Sequence, residues 1–307
     1  MSSYHPDFSS SEADVIIRSI EGTLYRVHSY TLRTTSGFFN AMFSLPQPKT
    51  FRPNLECGGS ESGSQILDST PNPSRNTLDV YEADITLEPL LRLICGLPIP
   101  PWKSLSELER LLSLAEKWDM PGPMTITRSA LSSFRFLHED PLRCYALARR
   151  YGWNEEAKLA STHTLGLDIL DPIHASTIDQ MTSKDLIPLL DLHRKRRDKF
   201  RDLINSSNLF GAGNSSGPYY CTRCGVTELD NYTWRDYKNA LLLELDRCSL
   251  GDTVGIGMGD TAEWPEAQAC WEAKCPKEGC DGLNYDRLAT LRQIRVCVEL
   301  LPFTIED

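Results

Sequence analysis

The chain has 307 residues, 40% of them apolar and 24% charged, an ordinary globular composition with room for about two domains. Its net charge of −10 argues against wholesale binding to nucleic acid or to an anionic membrane, since both attract basic surfaces. No apolar run approaches the roughly 18 residues that a membrane span requires, and the opening MSSYHPDFSSSEAD carries neither the basic nor the apolar region of a secretory signal.

These features predict a cytoplasmic or nuclear protein whose ten cysteines are reduced, so that paired cysteines point to metal before disulfides. The N-x-S/T triplets at Asn205, Asn214 and Asn231 are then chance matches.

Residues 1–12 read as a disordered polar arm. Asp14-Val-Ile-Ile and Tyr25-Arg-Val are short β-branched runs around Glu21-Gly22 and predict a hairpin. His28 follows, and Leu32, Ser36, Phe38, Phe39, Met42 and Phe43 predict a helical pair. Residues 44–77, with five prolines and a Gly/Ser cluster, have no usable period and predict a disordered insertion. Order is expected again at Leu78-Asp-Val-Tyr, a strand. A helix carrying Leu87, Leu90, Leu91, Leu93 and Ile94 comes next, with Thr86 as its expected N-cap. Ser104 opens a further helix that runs through Leu105, Leu108, Leu111, Leu112 and Ala115 to Trp118 and Met120.

The order D-V-hydrophobic, turn, hydrophobic-x-V-H, L, S-x-F-F, M-F over Asp14 to Phe43 resembles the opening of a BTB (POZ) domain. The run Leu112, Ala115, Lys117, Trp118, Met120 resembles that domain's second half. The resemblance covers 13–43 and 78–135, and it implies a domain over 13–135 that holds protein partners and is not an enzyme. It also implies a structural role for His28 and Ser36, self-association as a homodimer, and in some relatives recruitment of a cullin scaffold for ubiquitin ligation. Where cullin-binding relatives show a hydrophobic-x-Glu motif, this chain reads Phe43-Ser-Leu-Pro-Gln-Pro.

Residues 136–204 predict a helical extension. Leu142, Tyr145, Ala146 and Ala148, then Ala157, Leu159 and Ala160, mark two amphipathic helices joined at Gly152, and a long helix ends near Ile204. The basic run His193-Arg-Lys-Arg-Arg-Asp-Lys199 reads as a solvated helix face, with a nuclear-localisation patch as the alternative. Residues 205–219, NSSNLFGAGNSSGPY, read as a flexible linker.

Residues 220–307 hold seven of the ten cysteines and predict a separate small module. Cys221-Thr-Arg-Cys224-Gly225 is a metal-binding knuckle. Cys275-Pro-Lys-Glu-Gly-Cys280 is a second, with four intervening residues, within the range of structural zinc sites. Together they predict one structural Zn²⁺ on Cys221, Cys224, Cys275 and Cys280, a contribution on the order of 10–16 kcal/mol to a module of this size. Cys248 and Cys270 are reserve ligands, and Cys297 falls inside a closing helix whose apolar face is Leu288, Leu291, Ile294 and Val298. Gly255-Ile-Gly-Met-Gly259 lacks the strand and helix of a nucleotide loop and predicts a flexible loop.

The fold class expected is therefore α+β: a BTB-type domain, a helical extension and a four-cysteine zinc module. The function expected is protein–protein interaction, extending to a cullin-type substrate adaptor. The alternative is a transcription-associated regulator whose zinc module meets DNA or chromatin proteins. Against that alternative, residues 220–307 carry 16 Asp and Glu to 9 Lys and Arg.

Overall fold

The structure, a computed structural model, describes residues 3–45, 77–215, 217–226, 228–256 and 263–306. It is mixed α and β, mostly helical, and divides into two units, Met1–Leu131 and Ser132–Asp307. Among the described residues no helix is long and apolar enough to cross a membrane.

The first unit is built on a three-stranded sheet of order β2-β1-β3. In β1 (Val15–Arg18) the side chains of Val15, Ile16 and Ile17 are all buried, as suits a central strand covered on both faces. It pairs antiparallel with β2 (Leu24–Val27) and parallel with β3 (Thr77–Asp79). The hairpin turn closes through the Gly22 N–H on the Ser19 carbonyl, and Gly22 has φ +88°, which glycine reaches without strain. The expected hairpin is present.

Helices α1 (Ser29–Thr35) and α2 (Gly37–Ser44) follow. Then come α3 (Asp84–Cys95), α4 (Leu105–Lys117) and α5 (Pro121–Leu131). Ser104 caps α4, accepting the Glu107 N–H. Thr86 is not the cap expected for α3. The helix starts two residues earlier, where Asp84 accepts hydroxyl bonds from Thr23 (2.5 Å) and Tyr25 (2.9 Å), and Thr86 is buried in its first turn. Ser36 caps α2 by accepting the Phe39 N–H, and its own hydroxyl donates to the Trp118 carbonyl at 2.5 Å. The Phe39 and Trp118 rings meet edge to face at 5.1 Å. Gly37 allows the close approach here: a Cβ on it would stand 1.9 Å from Asp119 Oδ2.

The disordered arm expected over 1–12 is corrected in part. Tyr4 bridges to Leu24 along the outer edge of β2, His5 stacks on Tyr25, Asp7 pairs with Arg92, and Phe8 is buried in the core. Two aromatic anchors outweigh the polar composition around them. Of the insertion expected over 44–77, Ser44 ends α2 and Thr77 begins β3; the rest lies outside the described residues.

The second unit begins with α6 (Phe134–Glu139), α7 (Pro141–Arg150) and α8 (Asn154–Thr164). Between α7 and α8, Gly152 has φ +68° at the expected joint. The short α9 (Ala175–Ile178) and the 22-residue α10 (Ser183–Ile204) follow. Beyond them lie α11 (Gly211–Asn214), α12 (Tyr232–Arg247), α13 (Pro265–Glu272) and α14 (Arg287–Glu299).

The expected linker at 205–219 is not a linker. Phe210 shares one core with Phe200 and Ile204 of α10, Trp234 and Tyr237 of α12, and Ile294 and Val298 of α14. Asn214 donates to the Ile204 carbonyl at 2.7 Å and accepts the Trp234 indole N–H at 2.9 Å, and a Cβ on Gly213 would stand 2.4 Å from the Trp234 ring. The helical extension and the cysteine-rich stretch are therefore one unit, not the two cores expected.

The basic run is corrected at Arg196; Arg194, Lys195 and Lys199 are exposed, as expected of a solvated face. Arg196 has no exposed surface, and its guanidinium donates to the carbonyls of Ser249 (2.6 Å), Leu250 (2.9 Å) and Pro302 (2.5 Å). Its neighbours pair with acids: Arg194 and Lys195 with Asp191, Lys195 also with Glu306, and Arg197 with Asp198 and Asp246. On α14 the buried face runs through Leu291, Ile294, Cys297 and Val298, whereas Leu288, expected on that face, is 64% exposed. Of the glycine loop at 255–259, Gly255 ends within a π-helical turn, Asp252–Ile256, and the remainder lies outside the described residues.

Candidate metal centre

Two short backbone devices of the same design carry the four predicted cysteines. Tyr220, just before Cys221, forms an antiparallel bridge with Glu228, and Lys274, just before Cys275, forms one with Leu283. Each bridge folds the chain back so that the two sulfurs of its knuckle face the same side. In the first knuckle the Gly225 N–H returns to the Cys221 carbonyl at 2.8 Å, with Gly225 at φ +67°. In the second, the Cys280 N–H reaches the Lys277 carbonyl at 3.0 Å, with Gly279 at φ +75°, and the Cys275 N–H donates to the Gly282 carbonyl at 2.8 Å. The left-handed glycines are what the turns require.

The four sulfurs lie within 4.8 Å of one another and could hold a metal ion. Cys221 and Cys280 stand 3.6 Å apart, and Cys224 and Cys275 3.8 Å, both far longer than a disulfide bond. Cys221, Cys275 and Cys280 are buried and Cys224 is half-buried, in a small cluster with Leu229 and Tyr219. Backbone N–H groups of Cys224 and Arg223 point at Cys221 and hold its thiol below the usual range. The Gly282 N–H favours the Cys280 thiolate, but desolvation and the neighbouring sulfurs outweigh it and push Cys280 up to about 11. A cation among the sulfurs would reverse that repulsion.

Sequence reasoning passed over Gly282. A Cβ there would sit 3.0 Å from both Cys221 Sγ and Arg223 Cβ, so any other residue would press the second knuckle against the first and require the two to shift apart. Its sole sequence signal is its place two residues past Cys280. Asp281, between them, is held at φ +50°.

The reserve ligands are placed elsewhere. Cys248 is buried, with its thiol directed at the Leu165 carbonyl and at Asp252, and burial raises its pKa. Cys270 and Cys297 belong to the apolar core, where burial pushes their thiols up to about 12 and about 11. His28 is exposed and begins α1, whose Leu32 N–H bonds to its carbonyl. Beside the first knuckle an open groove of about 890 Å³ is lined by Tyr219, Arg223, Asn284, Tyr285 and Arg287, among others.

A scan against models of known protein families finds no match to this chain, and a search of curated proteins finds no relative.

Proposed function

We propose that the chain is a protein-interaction protein of the BTB type, and that its second unit is a helical scaffold fastened by one structural zinc. The observation that supports the first half most directly is the closure of Ser36 and Phe39 on Trp118. It joins the two separate stretches on which the BTB resemblance rests, around one core that holds Ile17, Tyr25, Leu32, Phe39, Leu90 and Leu111. The same helices leave Tyr30 and Phe38 exposed, Phe38 by 47%, as apolar side chains available to a partner.

For the metal, a tetrahedral zinc with Zn–S bonds of about 2.3 Å has sulfur–sulfur edges of about 3.75 Å. The separations of 3.6 and 3.8 Å bracket that edge. Four thiolates close the coordination sphere and leave no position for substrate, so the ion's role is to hold the fold. Elemental analysis of the purified chain should give one zinc per molecule, lost in Cys221→Ser. Sedimentation of the full chain tests the interaction reading: self-association weakened by Phe38→Glu supports it. A monomer at every concentration that also fails to bind a purified cullin N-terminal domain argues against it.

A further inference from the structure

We propose that the four-sulfur site is also an oxidation site, which hydrogen peroxide converts into two disulfides across the knuckles, Cys221–Cys280 and Cys224–Cys275, with release of the metal. The inference rests on the reading of this site as a zinc site for the release, but not for the pairing. The pairing comes from geometry. These two pairs stand at 3.6 and 3.8 Å and each joins one knuckle to the other. The bridges Tyr220–Glu228 and Lys274–Leu283 each close one knuckle by itself, so bonds between the pairs would join two turns that are already formed and take over the ion's part in holding one to the other. The oxidised module therefore keeps its fold when the ion leaves.

Accessibility sets the order of events. Cys224 is half-buried while its three partners are buried, so peroxide meets Cys224 first. The Cys224 thiolate attacks one peroxide oxygen, the O–O bond breaks, and with one proton taken up the products are a sulfenic acid and water. The Cys275 thiolate then attacks the sulfenic sulfur, expelling hydroxide that a second proton converts to water, and the disulfide forms. Two sulfurs have each lost one electron and one peroxide has been reduced to two waters. Loss of two ligands releases Zn²⁺, and a second peroxide oxidises Cys221 and Cys280 in the same way. Each site thus consumes two peroxides and four protons. Cys270 and Cys297 are sealed in the apolar core and remain thiols.

The test uses the full chain carrying Cys95→Ser, which removes an exposed thiol, and Cys57→Ser, at a position outside the described residues; it is reduced, zinc-loaded and titrated with hydrogen peroxide. A chromogenic chelator reads zinc release, and non-reducing peptide mapping reads the linkages. The expected result is zinc released as the first disulfide forms, two peroxides consumed per site in total, Cys221–Cys280 and Cys224–Cys275 as the linkages, and retained helical circular dichroism. Cys224→Ser should slow the first oxidation at least tenfold. A Cys221–Cys224 linkage within one knuckle, or sulfinic acids without a linkage, would overturn the proposal. Mapping a chelator-stripped sample separates the two readings. If reduced protein holds no zinc yet gives both linkages, the zinc reading fails and the oxidation site stands. If zinc is bound and the linkages do not form, the oxidation site fails alone.

Discussion

Replacing Arg196 with Met tests the view that α10, the 249–250 turn and the tail at 302 are clamped from inside. Methionine is close to arginine's stem in length and keeps the packing, so the change removes mainly the guanidinium. Three carbonyls, those of Ser249, Leu250 and Pro302, then lose their donor. An unsatisfied buried acceptor costs roughly 1–3 kcal/mol, or about 6 kcal/mol for three at mid-range. Against this, burial holds the Arg196 pKa down to about 10, a penalty on the charged form of roughly 3 kcal/mol that the variant no longer carries. The net expectation is a loss of about 3 kcal/mol. For a unit of this size that lowers the melting temperature by about 6–12 °C. Urea titration followed by circular dichroism gives the energy. Hydrogen exchange should show the new opening at 249–250 and around 302. Arg196→Lys, with fewer donors in a poorer shape, should fall between the two. A loss below about 1 kcal/mol for Arg196→Met, with unchanged exchange at those carbonyl segments, would refute the clamp.

Gly282→Ala should weaken zinc binding about 10–100-fold, because its Cβ would press on Cys221 Sγ. Gly279→Ala, which meets nothing within 4 Å, should keep the metal and cost only about 1 kcal/mol for its φ of +75°; competition against a chelator of known affinity measures both. Gly213→Ala should destabilise the second unit by about 1–3 kcal/mol, since the new methyl group overlaps the Trp234 ring, whereas a flexible linker would give no change in chemical denaturation. His193, half-buried beside Thr164, has its pKa lowered to about 4, chiefly by desolvation and then by Arg196. The unfolded chain therefore takes up the proton first, so stability is full above pH 6.5 and falls by roughly 3 kcal/mol towards pH 4. His193→Gln should flatten that part of a stability–pH profile measured by urea unfolding, and an unchanged slope would show that other groups set it.

What was legible in the sequence is what short-range chemistry decides. The β-branched runs around Gly22 specify a hairpin locally, and two cysteines followed or preceded by a turn glycine specify a knuckle whatever surrounds them. The choice of Cys275 and Cys280 over Cys248 and Cys270 follows from local turn chemistry and not from spacing, since Cys270 stands as far before Cys275 as Cys280 stands after it, and the structure brings the chosen four together. Misreadings occurred where burial depends on distant partners. Arg196 sits in a run of cations that resembles a solvated face, and nothing within ten residues reveals three carbonyls from 249, 250 and 302 converging on it. Phe210 is one ring in a Gly/Ser/Asn stretch, and only the opposing faces of α12 and α14 make it core. Leu288 has the right spacing for the buried stripe of α14, yet it lies one turn beyond the surface that covers the stripe. Thr86 is not the cap because the helix already starts at Asp84, whose N–H is accepted by the Glu21 carboxylate from the distant hairpin turn.

The two knuckles are separated by 50 residues that include all of α12 and α13. During synthesis at about 5–20 residues per second, Cys221 and Cys224 are made roughly 2.5–10 s before Cys275 and Cys280 exist. Throughout that interval the nascent chain offers two thiols and no site. Whatever supplies the ion must either wait for the second knuckle or pass the ion to a half-built site that holds it weakly. On the zinc reading, loading of the ion is a bimolecular step that follows synthesis of the second knuckle, so a shortage of metal acts first on newly made chains and not on finished ones.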